Sequence, residues 1–272
     1  MKLSLTMLSF ADQIRQGRMT TADFIRRCRE YPLDAVDLLE YYWVDKEREI
    51  REVPGLLKES GLEISAFCIG NNFVQATQEA RQQEIEKVKD GIMTADRLGA
   101  RKLRIFGGSA AIPEGVREEE RLDIIVDCIG QCIDVARRYD VTLVLENHGG
   151  IPKISSEVKQ VLEGVSSPWL QVNFDAGNFL GTGGEDPMEA ARILYPYTGH
   201  IHIKDLVRME NGYEACPVGE GVIPVEECLS FFKSKGYNGA VCYEFEAWDR
   251  MGSDQGVKEG LDYLKGILRK LA

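Results

Sequence analysis

The chain has 272 residues, 44% of them hydrophobic and 28% charged, and a formal net charge of −11. That length suits one large domain or two small ones with a full core, and the composition is ordinary for a soluble globular protein. The negative surplus argues against partners held by neutralised phosphates, whether nucleic acid or an anionic membrane face, while leaving room for a small local basic pocket.

The opening run "KLSLTMLSF" (2–10) reads as a first strand. It is too short and too interrupted by Ser and Thr for a signal peptide, with no small-residue cleavage site before Asp12. Thr20-Thr21-Ala22-Asp23 then has capping-box spacing and opens a helix, "FIRRCREY". A second strand, "AVDLLE" (35–40), precedes a charged amphipathic run over 44–60 that stops at Gly61. The third strand, "EISAFCI" (63–69), leads into a helix over 75–98 ended by Gly99. After the fourth strand, "KLRIFGG" (102–108), a helix over 117–139 carries Glu118, Glu119 and Glu120 in its first turn, where the helix dipole favours acids.

The fifth strand is "VTLVLEN" (141–147), after which Ser155 caps "SEVKQVLEGV". The sixth is "LQVNFD" (170–175), followed by Asp186 and Pro187 at the start of "MEAARILY". The seventh is "HIHIKD" (200–205), with a long loop over 206–221. Pro224 opens "VEECLSFFKSKG", the eighth strand is "AVCYEFE" (240–246), and a last helix covers 254–269. Strand then helix, eight times, predicts a parallel sheet. At 34 residues per unit the chain fits a closed (β/α)8 TIM barrel, which averages about 250 residues. No linker or composition shift divides it, so 1–272 reads as a single domain. The alternative, an open doubly wound sheet, usually carries a Gly-rich turn after its first strand, and "ADQIRQGR" lacks one.

The seven cysteines include no C-x-x-C pair and read as reduced, buried thiols of a cytoplasmic protein. Cys128 and Cys132 lie four apart in a helical stretch, where packing explains them. No run of about 20 apolar residues exists to span a membrane.

In such a barrel the active site lies at the C-terminal strand ends. Four consecutive strands there end in an acid or a histidine: Glu146, Asp175, His202 and Glu244, separated by 29, 27 and 42 residues. All three histidines of the chain, His148, His200 and His202, fall at this end or on the strand leading to it. In "HIHIKD", i and i+2 share a face, so His200, His202 and Lys204 point one way and Ile201 and Ile203 the other. Three carboxylates meeting at one rim repel unless a cation sits among them. Three oxygen donors and an imidazole suit one divalent ion, with Mn²⁺ the first choice and Mg²⁺, Co²⁺ or Zn²⁺ the alternatives.

These residues resemble the xylose isomerase-like TIM-barrel superfamily, the sugar phosphate isomerase/epimerase family. The resemblance runs over the whole chain in strand order. It is most specific at "LVLENHGG" (143–150), "NFDAGNF" (173–179), "GHIHIKD" (199–205) and "GEGVIPVEECLSFFKSKGYNGAVCYEFE" (219–246). It implies Glu146, Asp175, His202 and Glu244 as ligands of one divalent metal. His202 rather than His200 is the match, because the family pattern places an acid three residues on, here Asp205.

The resemblance also implies a divalent-metal-dependent isomerase or epimerase of a small sugar or hydroxy-ketone. Glu146 and Glu244 would be its catalytic pair, one removing a proton next to a carbonyl and the other returning it through an enediolate. Asn178 stands where ketose 3-epimerases usually have a substrate-touching histidine, a departure that keeps a hydrogen bond but not a proton carrier. Arg208 is similar to an arginine that holds substrate in those enzymes. Lys204 and His148 share faces with ligands and are expected to touch substrate. His200 orients a ligand or packs, and Glu246 stands behind Glu244. Arg104, charged inside a strand, calls for a carboxylate such as Asp37 or Glu40. Trp43, Phe73 and Trp248 are candidate pocket walls, and Gly219-Glu220-Gly221 a candidate lid.

The alternative activity is a metal-dependent dehydratase of a sugar or inosose-like substrate. The histidine count and the charge argue against a three-zinc DNA-repair nuclease. A non-catalytic binding barrel has no need of both glutamates. Barrels of the family often pair, so a homo-oligomer is an open expectation without a located interface.

Overall fold

The computed structural model describes residues 1–271. Eight parallel strands form a closed barrel. They are β1 (Lys2–Thr6), β2 (Ala35–Leu39), β3 (Glu63–Cys68), β4 (Lys102–Ile105), β5 (Thr142–Glu146), β6 (Leu170–Asp175), β7 (Thr198–Ile203) and β10 (Ala240–Tyr243). Between the last two, β8 (Asp205–Met209) and β9 (Gly212–Cys216) make a separate antiparallel hairpin. β10 pairs with both β7 and β1, which closes the ring and rules out the open sheet.

Closure fixes which side chains meet. Ile201 and Ile203 are fully buried in the layer between barrel and helices, while His200 and His202 occupy the alternate, inward positions. The outer layer is apolar. Phe174 of β6, for example, stacks against Phe179 and Phe232 with ring centroids 5.1 and 4.9 Å away. The inward positions are unusually polar. Ser4, Thr6, Asp37, Arg104, Asn173 and His200 are all buried, where barrels of this type commonly place branched apolar residues.

Local rules account for the helix ends. Thr20 and Asp23 cap one another's backbone at the start of helix Thr21–Cys28. Gly61 (φ 67) and Gly99 (φ 80) end helices Lys46–Ser60 and Gln78–Leu98 in the left-handed region, which costs a glycine least.

Four expectations differ in detail. The first strand stops at Thr6, whose Oγ1 accepts from the Leu8 amide and turns the chain into a 3-10 segment, Met7–Phe10. Buried Met7 and Phe10 keep the apolar pattern that made 2–10 look continuous. The helix expected over 117–139 is a 3-10 turn, Glu118–Glu120, and two helices, Arg121–Gly130 and Ile133–Tyr139. Gly130, weak in a helix, sits at the break. Ser155 is the first helical residue rather than the cap. Its amide and hydroxyl bond to Glu185 from the next connection, a partner distant in sequence. Finally, the long loop over 206–221 contains the hairpin.

Candidate metal and proton-transfer site

Glu146 ends β5, Asp175 ends β6, His202 lies near the end of β7, and Glu244 follows β10 directly. Parallel register sets Asp175 beside His202 on one side and Cys242 beside it on the other. The four side chains therefore converge. One ligand atom from each lies within 4.8 Å of all the others, and all four residues are buried.

His202 is the hub. Its Nδ1 stands 3.1 Å from Glu146 Oε1 and 3.2 Å from Glu244 Oε2. Its Nε2 stands 2.9 Å from Asp37 Oδ2, and the same oxygen takes His200 Nε2 at 2.8 Å. With an ion bound, the ring would be neutral, its Nε2 proton given to Asp37 and its Nδ1 lone pair turned towards the ion among the three carboxylates. Asp175 is fixed by its own backbone. Asn147 bonds its amide and carbonyl, and Asp175 Oδ1 caps helix Ala176–Gly181 by accepting from the Asn178 amide at 2.9 Å.

Electrostatics divides the acids. Burial works to raise every carboxyl here. For Glu146, His202 and Arg104 outweigh it and hold the group well below the usual carboxylate range. Lys204 and His202 lower Glu244 as well. Asp175, with burial opposed by Lys204 but reinforced by Glu244 and Glu146, is pushed up to about 7. For His202, burial is overcome by Glu146, Asp37 and Glu244, and its pKa rises well above the ordinary histidine value.

The residues fit a divalent ion. Asp175 Oδ2 and Glu244 Oε2 are buried without a well-directed hydrogen bond, approached only by Lys204 at 3.3 Å and His202 Nδ1 at 3.2 Å, and both belong to the converging group. Three mutually repelling carboxylates plus one imidazole are a donor set for a hard or borderline dication. A second group, Asp37, His200, His202 and Cys242, also clusters one layer deeper. There Asp37 already binds both imidazoles and the Ser65 hydroxyl, so its oxygens are engaged.

Arg104 does not take Asp37 or Glu40. Its Nε pairs with Glu146 Oε2 at 3.2 Å, its NH1 bonds the Ile69 carbonyl, and its guanidinium lies 4.0 Å from the Phe106 ring centre. Glu40 pairs with Lys46 instead. His200 faces Asp37 and is fully buried, away from the mouth.

A cavity of about 270 Å³ opens above the cluster, lined by Glu146, His148, His202 and Glu244 together with Tyr42 and Phe106. A neighbouring cavity of about 370 Å³ shares Glu146, His148 and Phe106 and adds the polar Asn71, Asn72 and Ser109. His148 stacks on Phe106 at 4.8 Å, and burial holds its pKa below the ordinary value.

Lys204 lies among Asp175 (3.3 Å), Glu246 (3.3 Å) and Glu244 (3.8 Å). Gly177 makes room for it, since a Cβ there would stand 2.6 Å from Lys204 Cγ. Asn178 is buried with its Nδ2 unpartnered. Arg208 stands on β8, donates to the Tyr213 hydroxyl and lines a separate depression with Asp186 and Pro224. The structure does not bring it to the cavity of Glu146 and His148.

Sequence reasoning missed Tyr42 and Phe106 as walls and Asp37 as the anchor of both strand histidines. Trp43 packs on Phe67, Phe73 is fully buried, and Trp248 bonds the Ser9 carbonyl. Asp205, the acid of the "HIHIKD" pattern, accepts from the amides of Gly219, Gly221 and Ile223. It clamps the expected lid in place. The signal for Asp37 was an acid inside an otherwise apolar strand, facing inward.

A closed parallel barrel with carboxylates and an imidazole converging at its C-terminal mouth offers a candidate dication site. The chain belongs to the xylose isomerase-like TIM barrel family, whose profile matches residues 25–267. It is 23% identical over 242 residues to the 3-dehydroshikimate dehydratase of Bacillus anthracis, a match covering 84% of this chain and 82% of that protein. Its fold superposes on the IOLI protein crystallised with a zinc atom, at a TM-score of 0.84 and 15% identity, over 100% of this chain and 99% of that one. It also superposes on an L-ribulose 3-epimerase, at a TM-score of 0.80 and 13% identity, over 99% and 95% of the two chains.

Proposed function

We propose that this chain is a divalent-metal-dependent isomerase or epimerase of a small sugar or hydroxy-ketone. The observation that carries the reading is the placement of Glu146 and Glu244 on either side of His202 Nδ1, both buried and both bordering one cavity. Glu146, Asp175, His202 and Glu244 would hold the ion, with Mn²⁺ the first candidate and Zn²⁺, Mg²⁺ or Co²⁺ the others. A bound dication supplies positive charge where negative charge develops on substrate oxygens as a C–H proton leaves.

The chain's own residues do the rest. Both glutamates are held in the charged form by their cationic neighbours, so either is ready to accept the proton. Arg104 steadies Glu146, and His202 and Lys204 stand 3.2 and 3.8 Å from Glu244 Oε2. His148 and the Asn72 amide offer hydrogen bonds to hydroxyls, and Tyr42 and Phe106 give apolar walls.

A second reading, a dehydratase using the same proton removal, is favoured by Lys204. Its ammonium is buried beside Asp175 and Glu244 and would be the acid for a leaving hydroxyl. The dehydratase relative supports it as well.

A panel of ketoses and cyclic hydroxy-ketones in D₂O with added Mn²⁺ separates the two. Deuterium entering next to the carbonyl without loss of water supports isomerisation or epimerisation. Loss of water supports the dehydratase. Neither event with any member of the panel would reject both.

A further inference from the structure

The largest cavity described, about 600 Å³, lies at the opposite end of the barrel, around the N-terminal strand ends. Its floor departs from ordinary barrel packing. The inward positions there include Lys2 on β1, Ala35 on β2, Lys102 on β4 and Ala240 on β10. Barrel layers are usually filled by bulky branched side chains. Two alanines leave the floor hollow and two lysines make it cationic.

The charge balance is the opposite of the chain's. Lys2, Lys58, Arg101 and Lys102 line the cavity, and Glu63 is the one acid among the lining residues, in a protein of net charge −11. Lys2 is committed to Glu63 at 2.5 Å, and Arg101 to Asp96 at 3.4 Å. Among the described residues, neither Lys58 nor Lys102 has a carboxylate within 4.0 Å. Lys102 is half-buried, and burial disfavours its charge. Buried Asp37 acts on it only from beyond 4.0 Å, and an ammonium drawn from water without a paired counter-ion is costly, a cost that an anion arriving from solvent relieves. Leu57, Leu62 and Leu98 give the same cavity apolar walls.

We propose that this floor cavity is a second ligand site, separate from the mouth. It takes a small molecule with an oxyanion head, carboxylate or phosphate, and a short apolar body. The head lies among Lys102 and Lys58, and the body lies against the leucines.

The test is calorimetric titration of the full chain in low salt at pH 7, with sodium hexanoate in one arm and inorganic phosphate in the other. Each arm is repeated on Lys102→Met, Lys58→Met and Glu146→Gln. The expected result is saturable binding near one equivalent in at least one arm. It should weaken about tenfold or more in each lysine variant, the scale of one charge-assisted hydrogen bond, and stay unchanged in Glu146→Gln. Hexanoate alone binding assigns a carboxylate with an apolar tail, and phosphate alone assigns a phosphate ester. Lys58→Met lies on a helix and keeps the test open if Lys102→Met does not fold. No saturable binding in either arm overturns the proposal. So does binding that survives both lysine variants, or binding that changes in Glu146→Gln, which would place the anion at the mouth.

Discussion

Removing the charge of Asp37 tests how the site is organised. Asp37 is fully buried, and one of its oxygens accepts from His200 Nε2 and His202 Nε2 at 2.8 and 2.9 Å while the other accepts from Ser65. In Asp37→Asn an amide oxygen still faces the imidazoles, and the Ser65 hydroxyl turns to accept from the new NH₂. The geometry is kept and the anion is lost. His202 then lacks the charge that would hold its proton on Nε2 when an ion takes Nδ1 among Glu146, Asp175 and Glu244. Loss of such a partner behind a metal-binding imidazole typically costs roughly 10–100-fold in metal affinity. Asp37→Leu also strips two buried N–H donors of their acceptor, at about 1–3 kcal/mol each, and should lower stability by roughly 2–6 kcal/mol. Competition for Zn²⁺ with a chromophoric chelator reads the first effect, and thermal unfolding of the metal-free chain reads the second. Wild-type metal affinity in Asp37→Asn, together with wild-type stability in Asp37→Leu, would refute the reasoning.

Other perturbations reach different parts of the account. Glu146→Gln and Glu244→Gln should each fold and each lose proton exchange with solvent by roughly 10²–10⁴-fold, the scale of general acid–base catalysis; full activity in both rejects the two-glutamate assignment. All seven cysteines are free and buried, and burial pushes Cys68 and Cys132 up to about 12. A thiol reagent should therefore find no fast-reacting group in the native chain and seven in denaturant, and a thiol modified within seconds natively contradicts the packing. Gly99→Ala forces a φ of 80° on a residue with a Cβ. A loss of about 1 kcal/mol, or roughly 2–4 °C in Tm, is expected by calorimetry, and no change would mean the helix ends differently.

The parts of the structure legible in the sequence are those set by short-range pattern. The alternating runs gave eight strands because the residues behind β2 and β7 obey a two-residue period, and Gly61 and Gly99 marked helix ends because φ there is positive. The convergence of Glu146, Asp175, His202 and Glu244 was legible because a closed barrel brings equivalent strand ends to one rim. Partnerships made across the barrel were not. Arg104 had several carboxylates within reach by topology, and only the closed register assigns it Glu146 and gives Asp37 to the histidines. The hairpin after β7 carries Arg208 away from the cavity of Glu146 and His148 by pairing it with Tyr213, a local pairing hidden inside what reads as a loop. Glu185, which satisfies the start of helix Ser155–Val165, is 30 residues from Ser155, beyond any local capping rule.

The most direct test is metal content against turnover. Elemental analysis of the purified chain after exposure to Mn²⁺ or Zn²⁺ should give one dication per chain. A crystal of that sample should place it about 2.0–2.4 Å from Glu146, Asp175, His202 and Glu244, and exhaustive chelation should abolish activity that the ion restores. A chelated sample with full turnover, or an ion bound elsewhere with these four side chains still paired to one another, would contradict the account.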